Sequence, residues 1–322
     1  MQELESALAR QAGVEHAVCV ASGFSALRLA LGALGVGPDH RVLVPAYSCV
    51  ALANAVLAWG ATPVPVDVEA AGWNIDPAQC RRYFGDSRPR AVIAVNTFGV
   101  PARVEEIAGD AVPVIEDCAH AFRAEVDGKW LGSRASLAVT SFYATKLIGA
   151  GEGGAVLTNS PAMAAYVRRA RDYGDQTADG HRMNDKMNDL EAALALAQLE
   201  RLSSMIVARE AVAARYLKLL AIPALEQVFR LPSSVDPRIW YRFAVEMMNV
   251  PAERVVADLA GFGVHAAIPV SDWRPPDAGG GPTADRAYKS LVSLPLYPSL
   301  TEDEQDAVVE AFLQLGEGYS HG

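Results

Sequence analysis

Three short segments of the chain carry residue types that could do chemistry, and one of them is an acidic strand end. An apolar run that begins at Val112 ends in Glu116 and Asp117, and His120 follows. In an open α/β sheet, ligands bind at the carboxyl ends of the strands, so an aspartate there can be a fixed anion that faces a ligand cation. The other interpretation of Asp117 is that it only caps the following turn.

A second segment holds a lysine in an unusual setting. Lys146 lies among small and apolar residues, after Ser141 and before the glycine-dense stretch 149–154. An amine that is partly desolvated in this way is suited to forming a Schiff base with an aldehyde, and the glycines permit close approach of the backbone. The alternative is an ordinary solvated loop lysine.

The third segment is a turn of small residues that opens a helix at Ser22 and Gly23. The backbone N–H groups and the dipole at a helix N-terminus bind phosphate well. An ordinary N-cap has the same sequence features, so this segment is weak evidence on its own.

Together the three segments predict a single site. It would contain a phosphate cradle, a carboxylate for a ring nitrogen and a lysine that forms an imine, which are the groups that pyridoxal 5′-phosphate (PLP) requires. The order of phosphate turn, Asp117 and Lys146 is more specific than any one of them. A dinucleotide site is excluded because no G-x-G-x-x-G motif follows the first strand.

The motifs of the chain resemble those of the DegT/StrS-type sugar aminotransferases, which are fold-type I PLP enzymes, over nearly its whole length. The resemblance is carried by Ser22-Gly23-x-x-Ala26-Leu27, Val44-Pro45-x-Tyr47-Ser48, Glu116-Asp117-x-Ala119-His120, Ser141-Phe142-x-x-Thr145-Lys146, Gly151-Glu152-Gly153-Gly154 and Asn184-x-Lys186-Met187. It implies a large domain with a mainly parallel sheet sandwiched by helices, and a smaller C-terminal α+β domain.

The resemblance also implies roles for single residues. Lys146 would form the Schiff base and then move the proton, Asp117 would pair with the pyridine nitrogen, and His120 would lie near the phenolic oxygen of the cofactor. The phosphate-binding positions are those of Gly23, Phe24 and Ser141, together with Asn184, which in this family reaches the phosphate from the partner subunit. A homodimer with shared active sites is therefore implied.

Several positions depart from the family pattern. Cys49 stands where relatives place an aromatic residue over the cofactor ring, so stacking must come from Cys49 or from a neighbour such as Tyr47. Phe24 replaces a threonine of the phosphate turn, and the segment 267–269 differs from the usual substrate loop. The group that binds the carboxylate of the amino donor stays open, with three candidates: Arg123, Lys186 and Arg242.

The function predicted by the resemblance is transfer of an amino group, from glutamate or glutamine, to the keto group of a sugar, with a nucleotide-linked sugar as the expected acceptor. The alternatives are a PLP enzyme of this fold that acts on a non-sugar substrate or catalyses a different PLP reaction, and a non-enzymatic protein of the fold. The retention of Asp117, His120 and Lys146 argues against the last.

The composition limits the class of protein. The 322 residues are 51% hydrophobic and carry a formal charge of −10, which argues against disorder and against a nucleic-acid partner. We expect no membrane span, because no apolar run approaches ~18 residues. The polar N-terminus does not look like a secretion signal, and the four cysteines have no metal-binding spacing, so we predict a cytoplasmic protein without a metal site.

The elements that must position these residues follow from periodicity. The first 160 residues alternate a helix at 25–34 with strands at 41–45, 62–68, 91–95, 112–115, 137–142 and 155–158, which predicts a layered α/β domain. A strong helix at 187–206 ends the large domain, predicted as 1–206, and the small domain is predicted as 207–322. The small domain should contain a strand at 241–247, a helix at 251–261, a mobile loop at 275–282 and a last helix capped by Thr301 and Glu304.

Overall fold

The protein is described by a computed structural model over residues 1–85, 88–108, 112–174, 182–233, 237–275 and 278–320. The helices of these residues are α1 (Gln2–Ala12), α2 (Gly23–Ala33), α3 (Val50–Leu57), α4 (Pro77–Arg81), α5 (Val104–Ala108), α6 (Pro161–Ala170), α7 (Asp189–Leu220), α8 (Ala252–Gly261), α9 (Pro282–Ser290) and α10 (Glu302–Ser320). The strands are β1 (His16–Val20), β2 (Arg41–Pro45), β3 (Thr62–Val66), β4 (Ala91–Val95), β5 (Val114–Asp117), β6 (Glu125–Val126), β7 (Lys129–Trp130), β8 (Leu137–Ser141), β9 (Gly154–Thr158), β10 (Phe229–Arg230), β11 (Phe243–Met247) and β12 (Leu291–Leu294).

A seven-stranded sheet in the order β1-β9-β8-β5-β4-β2-β3 forms the centre of the fold. All neighbouring pairs are parallel except the two that involve β9, so the sheet is mainly parallel, as predicted. One apolar core joins the sheet to α1 and α7, and another joins it to α2, α3 and α6. Helices therefore cover both faces, which is why strands such as β4 are buried throughout.

The predicted strands of this sheet are all present. The largest shift concerns the strand predicted at 112–115, which begins at Val114 and continues to Asp117. The strand end that carries the two carboxylates is thus part of the sheet itself, and Asp117 is held by the ladder on both sides through Val95 and Val139.

The predicted helix at 187–206 is much longer in the structure. Helix α7 has 32 residues, and its buried side chains change from Leu199 and Leu202 to Tyr216 and Leu220 along its length. The first pair belongs to the core against the large sheet, and the second pair belongs to a separate core with the three-stranded antiparallel sheet β10-β11-β12, α8 and α10. The division predicted at 206 and 207 falls inside α7 and stays a prediction.

Two local predictions in the C-terminal part concern a cap and a loop. The Thr301 Oγ1 accepts from the Glu304 N–H at 3.3 Å and the Glu304 carboxylate accepts from the Thr301 N–H at 2.9 Å, which confirms the capping box of α10. Within the predicted mobile loop 275–282, residues 276 and 277 lie outside the described residues, and the mobility stays a prediction. No helix in the described part of the chain is both long and apolar enough to cross a membrane.

Candidate active site

A cavity of about 750 Å³ opens at the carboxyl ends of β5 and β8. Seven of the eight predicted site residues line it: Gly23, Phe24, Cys49, Asp117, His120, Ser141 and Lys146. The eighth, Asn184, is exposed and is not among the lining residues. Segments that are far apart in the sequence are therefore brought together at one end of the sheet, as the motif order predicts.

The two carboxylates at the end of β5 point to opposite faces of the sheet and have different surroundings. Glu116 is fully buried, forms an ion pair with Arg134 and accepts from the Gly132 N–H at 2.9 Å. Asp117 is 6% exposed, lines the cavity, and accepts from the Ala119 N–H at 2.9 Å. Asp117 thus caps the next turn and also faces the cavity, so the two interpretations of this residue are compatible.

The environment of Asp117 disfavours its own negative charge. Burial raises the pKa of the Asp117 carboxyl, and the neighbouring Glu116 adds to this, whereas the Ala119 N–H and the charge of Lys146 act in the opposite direction. A cation bound against the free oxygen of Asp117 would stabilise the ionised form.

His120 is held by an aromatic neighbour from the C-terminal part of the chain. Its ring stacks on that of Tyr241, with centroids 4.2 Å apart and planes inclined by 12°. Burial, followed by the charges of Lys146 and Arg242, lowers the pKa of His120 well below its usual value, so the ring is neutral at physiological pH. Its Nδ1 is buried without a hydrogen-bond partner among the described residues.

The turn that carries Lys146 is fixed by backbone hydrogen bonds to the glycine-dense stretch. The Ala144 N–H donates to the Gly151 carbonyl at 3.0 Å, and the Ala150 N–H donates to the Phe142 carbonyl at 2.8 Å. A Cβ at Gly149 would lie 2.7 Å from the Ala144 carbonyl oxygen, which explains a glycine there. The amine of Lys146 lies 5.1 Å from the ring centroid of Tyr241.

The turn before α2 is built for close backbone approach. Ser22 is the N-cap of α2 and accepts from the Ser25 N–H at 3.0 Å. A Cβ at Gly23 would lie 2.8 Å from the Ser141 Cβ, so the N-terminus of α2 and the end of β8 meet here without room for a side chain. Asp185 supports the turn from outside, because it accepts from the Ser25 hydroxyl at 3.1 Å and pairs with Arg28.

The walls of the cavity contain more aromatic residues than the sequence motifs indicated. Cys49 is exposed to the cavity, and the lining aromatic residues are Phe24, Tyr47, Phe98, Tyr143, Tyr241 and Trp273. The sequence motifs did not assign Tyr143 to the site. The sequence signal for Tyr143 is its place between Ser141 and Lys146. In the structure Tyr143 is 48% exposed, so it is not a core residue.

Three comparisons with known proteins agree with this geometry. The DegT/DnrJ/EryC1/StrS aminotransferase family matches residues 1–313. The chain belongs to this family. It is 32% identical to dTDP-3-amino-3,4,6-trideoxy-alpha-D-glucose transaminase from Streptomyces venezuelae, over 98% of this chain and 87% of the relative.

Solved structures of similar proteins have the same fold. The crystal structure of S. venezuelae DesV in complex with a ketimine intermediate is 30% identical, with a TM-score of 0.88 over 98% of this chain and 89% of that one. NtdA from Bacillus subtilis with bound cofactor PMP is 25% identical, with a TM-score of 0.88 over 98% of this chain and 77% of that one. The protein is a PLP-dependent aminotransferase with the fold-type I architecture.

The residues of the cavity fit this cofactor. Asp117 presents a buried carboxylate oxygen to the cavity, which suits a pyridinium N–H. Gly23 lines the cavity without a side chain at the N-terminus of α2, so its backbone N–H can approach a phosphate closely. The unpartnered Nδ1 of His120 and the amine of Lys146 supply the remaining polar groups.

Proposed function

We propose that the protein transfers an amino group from glutamate or glutamine to the keto group of a nucleotide-linked sugar. The observation that carries the proposal is the convergence of Asp117, His120 and Lys146 in one cavity of a family aminotransferase. The sugar is supported by the 32% identical relative, whose name specifies a dTDP-linked aminosugar.

The residues of this chain divide the work between binding and proton transfer. PLP, when bound, supplies an electron sink for the carbanion that forms at the substrate carbon. The backbone at Gly23 and Phe24 and the hydroxyl of Ser141 would hold its phosphate, and Asp117 would keep its ring nitrogen protonated. Lys146 would attach the cofactor through Nζ and then move a proton at the reacting carbon, and His120 would orient the ring.

We also propose that two copies form a homodimer with shared sites. Asn184 lies on the surface beside Asp185, which braces the phosphate turn of its own chain. On α7, the apolar side chains of Leu190 and Leu194 are 86% and 46% exposed. An apolar helix face of this kind suits a partner subunit. We further infer a cytoplasmic enzyme, because all four cysteines are free thiols.

The direct test of the function is to supply each half of the reaction separately. The purified enzyme is incubated with L-glutamate or L-glutamine, and release of the corresponding 2-oxo acid is measured. A panel of dTDP-linked keto sugars is then added, and amination is followed by mass spectrometry. Release of the 2-oxo acid followed by amination of one of these sugars supports the proposal, and Lys146→Ala should abolish both steps.

A non-sugar acceptor is the second candidate function. It is favoured by the segment 267–269, which departs from the family pattern and places Pro269 in the wall of the cavity. The same assay distinguishes the two candidates, because cyclitol ketones and aromatic precursors can be included in the panel. Amination of one of these, with no product from any sugar nucleotide, would favour this second candidate.

A further inference from the structure

The three cations that could bind the carboxylate of the amino donor have different places in the structure. Arg123 lies over the ring of Trp130, at 4.9 Å from its centroid, and does not line the cavity. Lys186 is exposed and forms an ion pair with Asp172 at 2.7 Å. Arg242 lines the cavity that contains Lys146. Within a single chain, Arg242 is therefore the one of the three candidates that lines this cavity.

Arg242 has no anionic partner in the described part of the chain. Its guanidinium donates one side-chain hydrogen bond, at 3.3 Å, to the neutral hydroxyl of Ser293 on β12. No carboxylate of the described residues lies within ion-pair distance of it. A guanidinium with five N–H donors is therefore left with most of them available inside a partly enclosed cavity, which suits bidentate binding of a carboxylate.

The position of Arg242 relative to the reacting amine is also suitable. Its Cζ lies 5.6 Å from the ring centroid of Tyr241, and the Nζ of Lys146 lies 5.1 Å from the same centroid. Both cations thus lie close to the ring of Tyr241 in the wall of the cavity. An α-amino acid places its carboxylate one carbon from its amine, so a donor that reacts at the Lys146 position needs a cation in the nearby wall, and Arg242 is such a cation.

Tyr47 is a second residue of the same cavity. It lines the cavity and is 1% exposed, and its hydroxyl is buried without a hydrogen-bond partner among the described residues. Burial raises the pKa of the Tyr47 hydroxyl, and the neighbouring Tyr288 raises it further. The positive charge of Arg242 lowers it. Tyr47 is therefore a neutral hydrogen-bond donor that is close enough to Arg242 to interact with it electrostatically. A buried hydroxyl without a partner is costly unless a ligand accepts from it.

We propose that Arg242, assisted by the Tyr47 hydroxyl, binds the α-carboxylate of the amino donor. This inference rests on the proposed function and assigns the donor-binding group of that same site. Arg242 directly precedes β11 and donates a hydrogen bond to Ser293 on β12. The carboxylate of the donor would therefore be held by the C-terminal sheet, while its amine reacts at the large sheet. The donor would thereby connect the two sheets.

The test is the first half-reaction, in the absence of any acceptor. The visible absorbance of the PLP-loaded enzyme is followed as L-glutamine is added, and the dependence of the rate on concentration gives the apparent Kd. Glutamine carries only the α-carboxylate, whereas glutamate also carries a γ-carboxylate. We expect Arg242→Gln to raise the Kd for both amino acids by about 30-fold or more. Tyr47→Phe should raise it by about 3- to 10-fold.

Two controls separate carboxylate binding from damage to the site. Arg123→Gln makes the same chemical change outside the cavity and should leave the Kd unchanged. Ethylamine has no carboxylate, so its effect on the absorbance of the loaded enzyme should be the same in wild type and Arg242→Gln. Arg242→Lys keeps the charge without the planar fork and should give an intermediate Kd.

The outcomes distinguish this inference from the proposed function. An Arg242→Gln enzyme with wild-type Kd values overturns the inference alone, as does an effect on glutamate without an effect on glutamine. An equal loss of reaction with ethylamine also overturns it, because the change would then not depend on a carboxylate. A wild-type enzyme that reacts with neither amino acid contradicts the proposed donors, and the inference fails with them.

Discussion

At the residue scale, adjacent side chains at the end of β5 have separate tasks because strand geometry sends them to opposite faces. The carboxylate of Glu116 is already paired with Arg134, whereas Asp117 faces the cavity with one oxygen free for a ligand. A carboxylate that pairs with the ring nitrogen of PLP must keep its negative charge, and in this site the bound pyridinium would supply the compensating cation.

Replacing Asp117 with asparagine tests that pairing. Asp117→Asn keeps the size and the bond to Ala119 but removes the charge, so we expect the rate of the glutamate half-reaction to fall by about 10- to 100-fold. The rate is measured by stopped-flow absorbance on cofactor-loaded protein. Glu116→Gln is the matched control, since it should lower the melting temperature more than the rate per loaded site. Equal rates in Asp117→Asn and wild type would refute the assignment.

The neutral state of His120 predicts a pH dependence of stability. Because its pKa is lower in the folded protein than in the unfolded chain, the unfolded chain binds the extra proton first as the pH falls below about 6.5. The apoenzyme should therefore lose stability from this pH downward, by up to about 1.4 kcal/mol per pH unit from His120.

Comparing wild type with His120→Gln isolates this contribution. The free energy of unfolding is measured by urea denaturation between pH 5.5 and 8 for both proteins. The difference between them should be constant above pH 7 and change below it in favour of the variant. A difference that does not vary with pH would show that His120 is not buried in its neutral form.

Asp117 and Lys146 could be predicted from the sequence, because each lies in a local motif at the end of a strand. The stack of His120 on Tyr241 could not, since the two residues are joined only by the packing of the C-terminal part against the large sheet. Arg242 was one of three open candidates for the same reason. Arg242 is available to bind a ligand carboxylate only if no carboxylate of the protein pairs with it, and the sequence does not show which carboxylates lie near it.

At the scale of elements, the N-terminus of α2 is the part of the site that depends most on backbone geometry. Gly23→Ala would place a Cβ at 2.8 Å from the Ser141 Cβ and 2.9 Å from its Oγ. We expect the affinity for PLP to fall by about tenfold, because overpacking at this point pushes the turn away from the phosphate. Gly37→Ala is the control, as nothing lies within 4 Å of its Cβ.

The experiment compares equilibrium binding of PLP to the two apoenzymes by absorbance titration. Their melting temperatures without cofactor show whether the fold is intact. Wild-type affinity in Gly23→Ala would contradict a phosphate site at this turn, whereas weakened binding in Gly37→Ala as well would point to a general effect on the domain.

The elements themselves were predicted where one core determines the apolar pattern. Six of the seven strands of the large sheet were predicted with small errors at their ends, and all of these except β3 are largely buried on both faces. Strand β1 was not predicted. Helix α7 was cut short at 206 because its later turns pack against a different core, through Val212, Tyr216 and Leu220, and the apolar stripe moves around the helix. A single periodicity cannot represent a helix that serves two cores.

At the scale of the whole molecule, the proposed homodimer places Asn184 of one subunit in the site of the other. Mixed dimers test this, because Lys146→Ala and Asn184→Asp subunits combined in one dimer recreate one intact site. We expect both parent homodimers to be impaired, the second through repulsion of the phosphate, and the purified mixed dimer to recover activity. Sedimentation of the wild type checks that a dimer forms. A mixed dimer no more active than its parents would contradict sharing.

The most direct test of the central claim is the identity of the lysine that carries the cofactor. The chain contains only five lysines: Lys129, Lys146, Lys186, Lys218 and Lys289. The PLP-loaded enzyme is reduced with sodium borohydride, which converts the labile attachment into a stable phosphopyridoxyl group. The protein is then digested, and the labelled peptide is sequenced by mass spectrometry. We predict that Lys146 carries this group and that the other four lysines do not. Attachment at another lysine, or no attachment in loaded enzyme, would contradict the account.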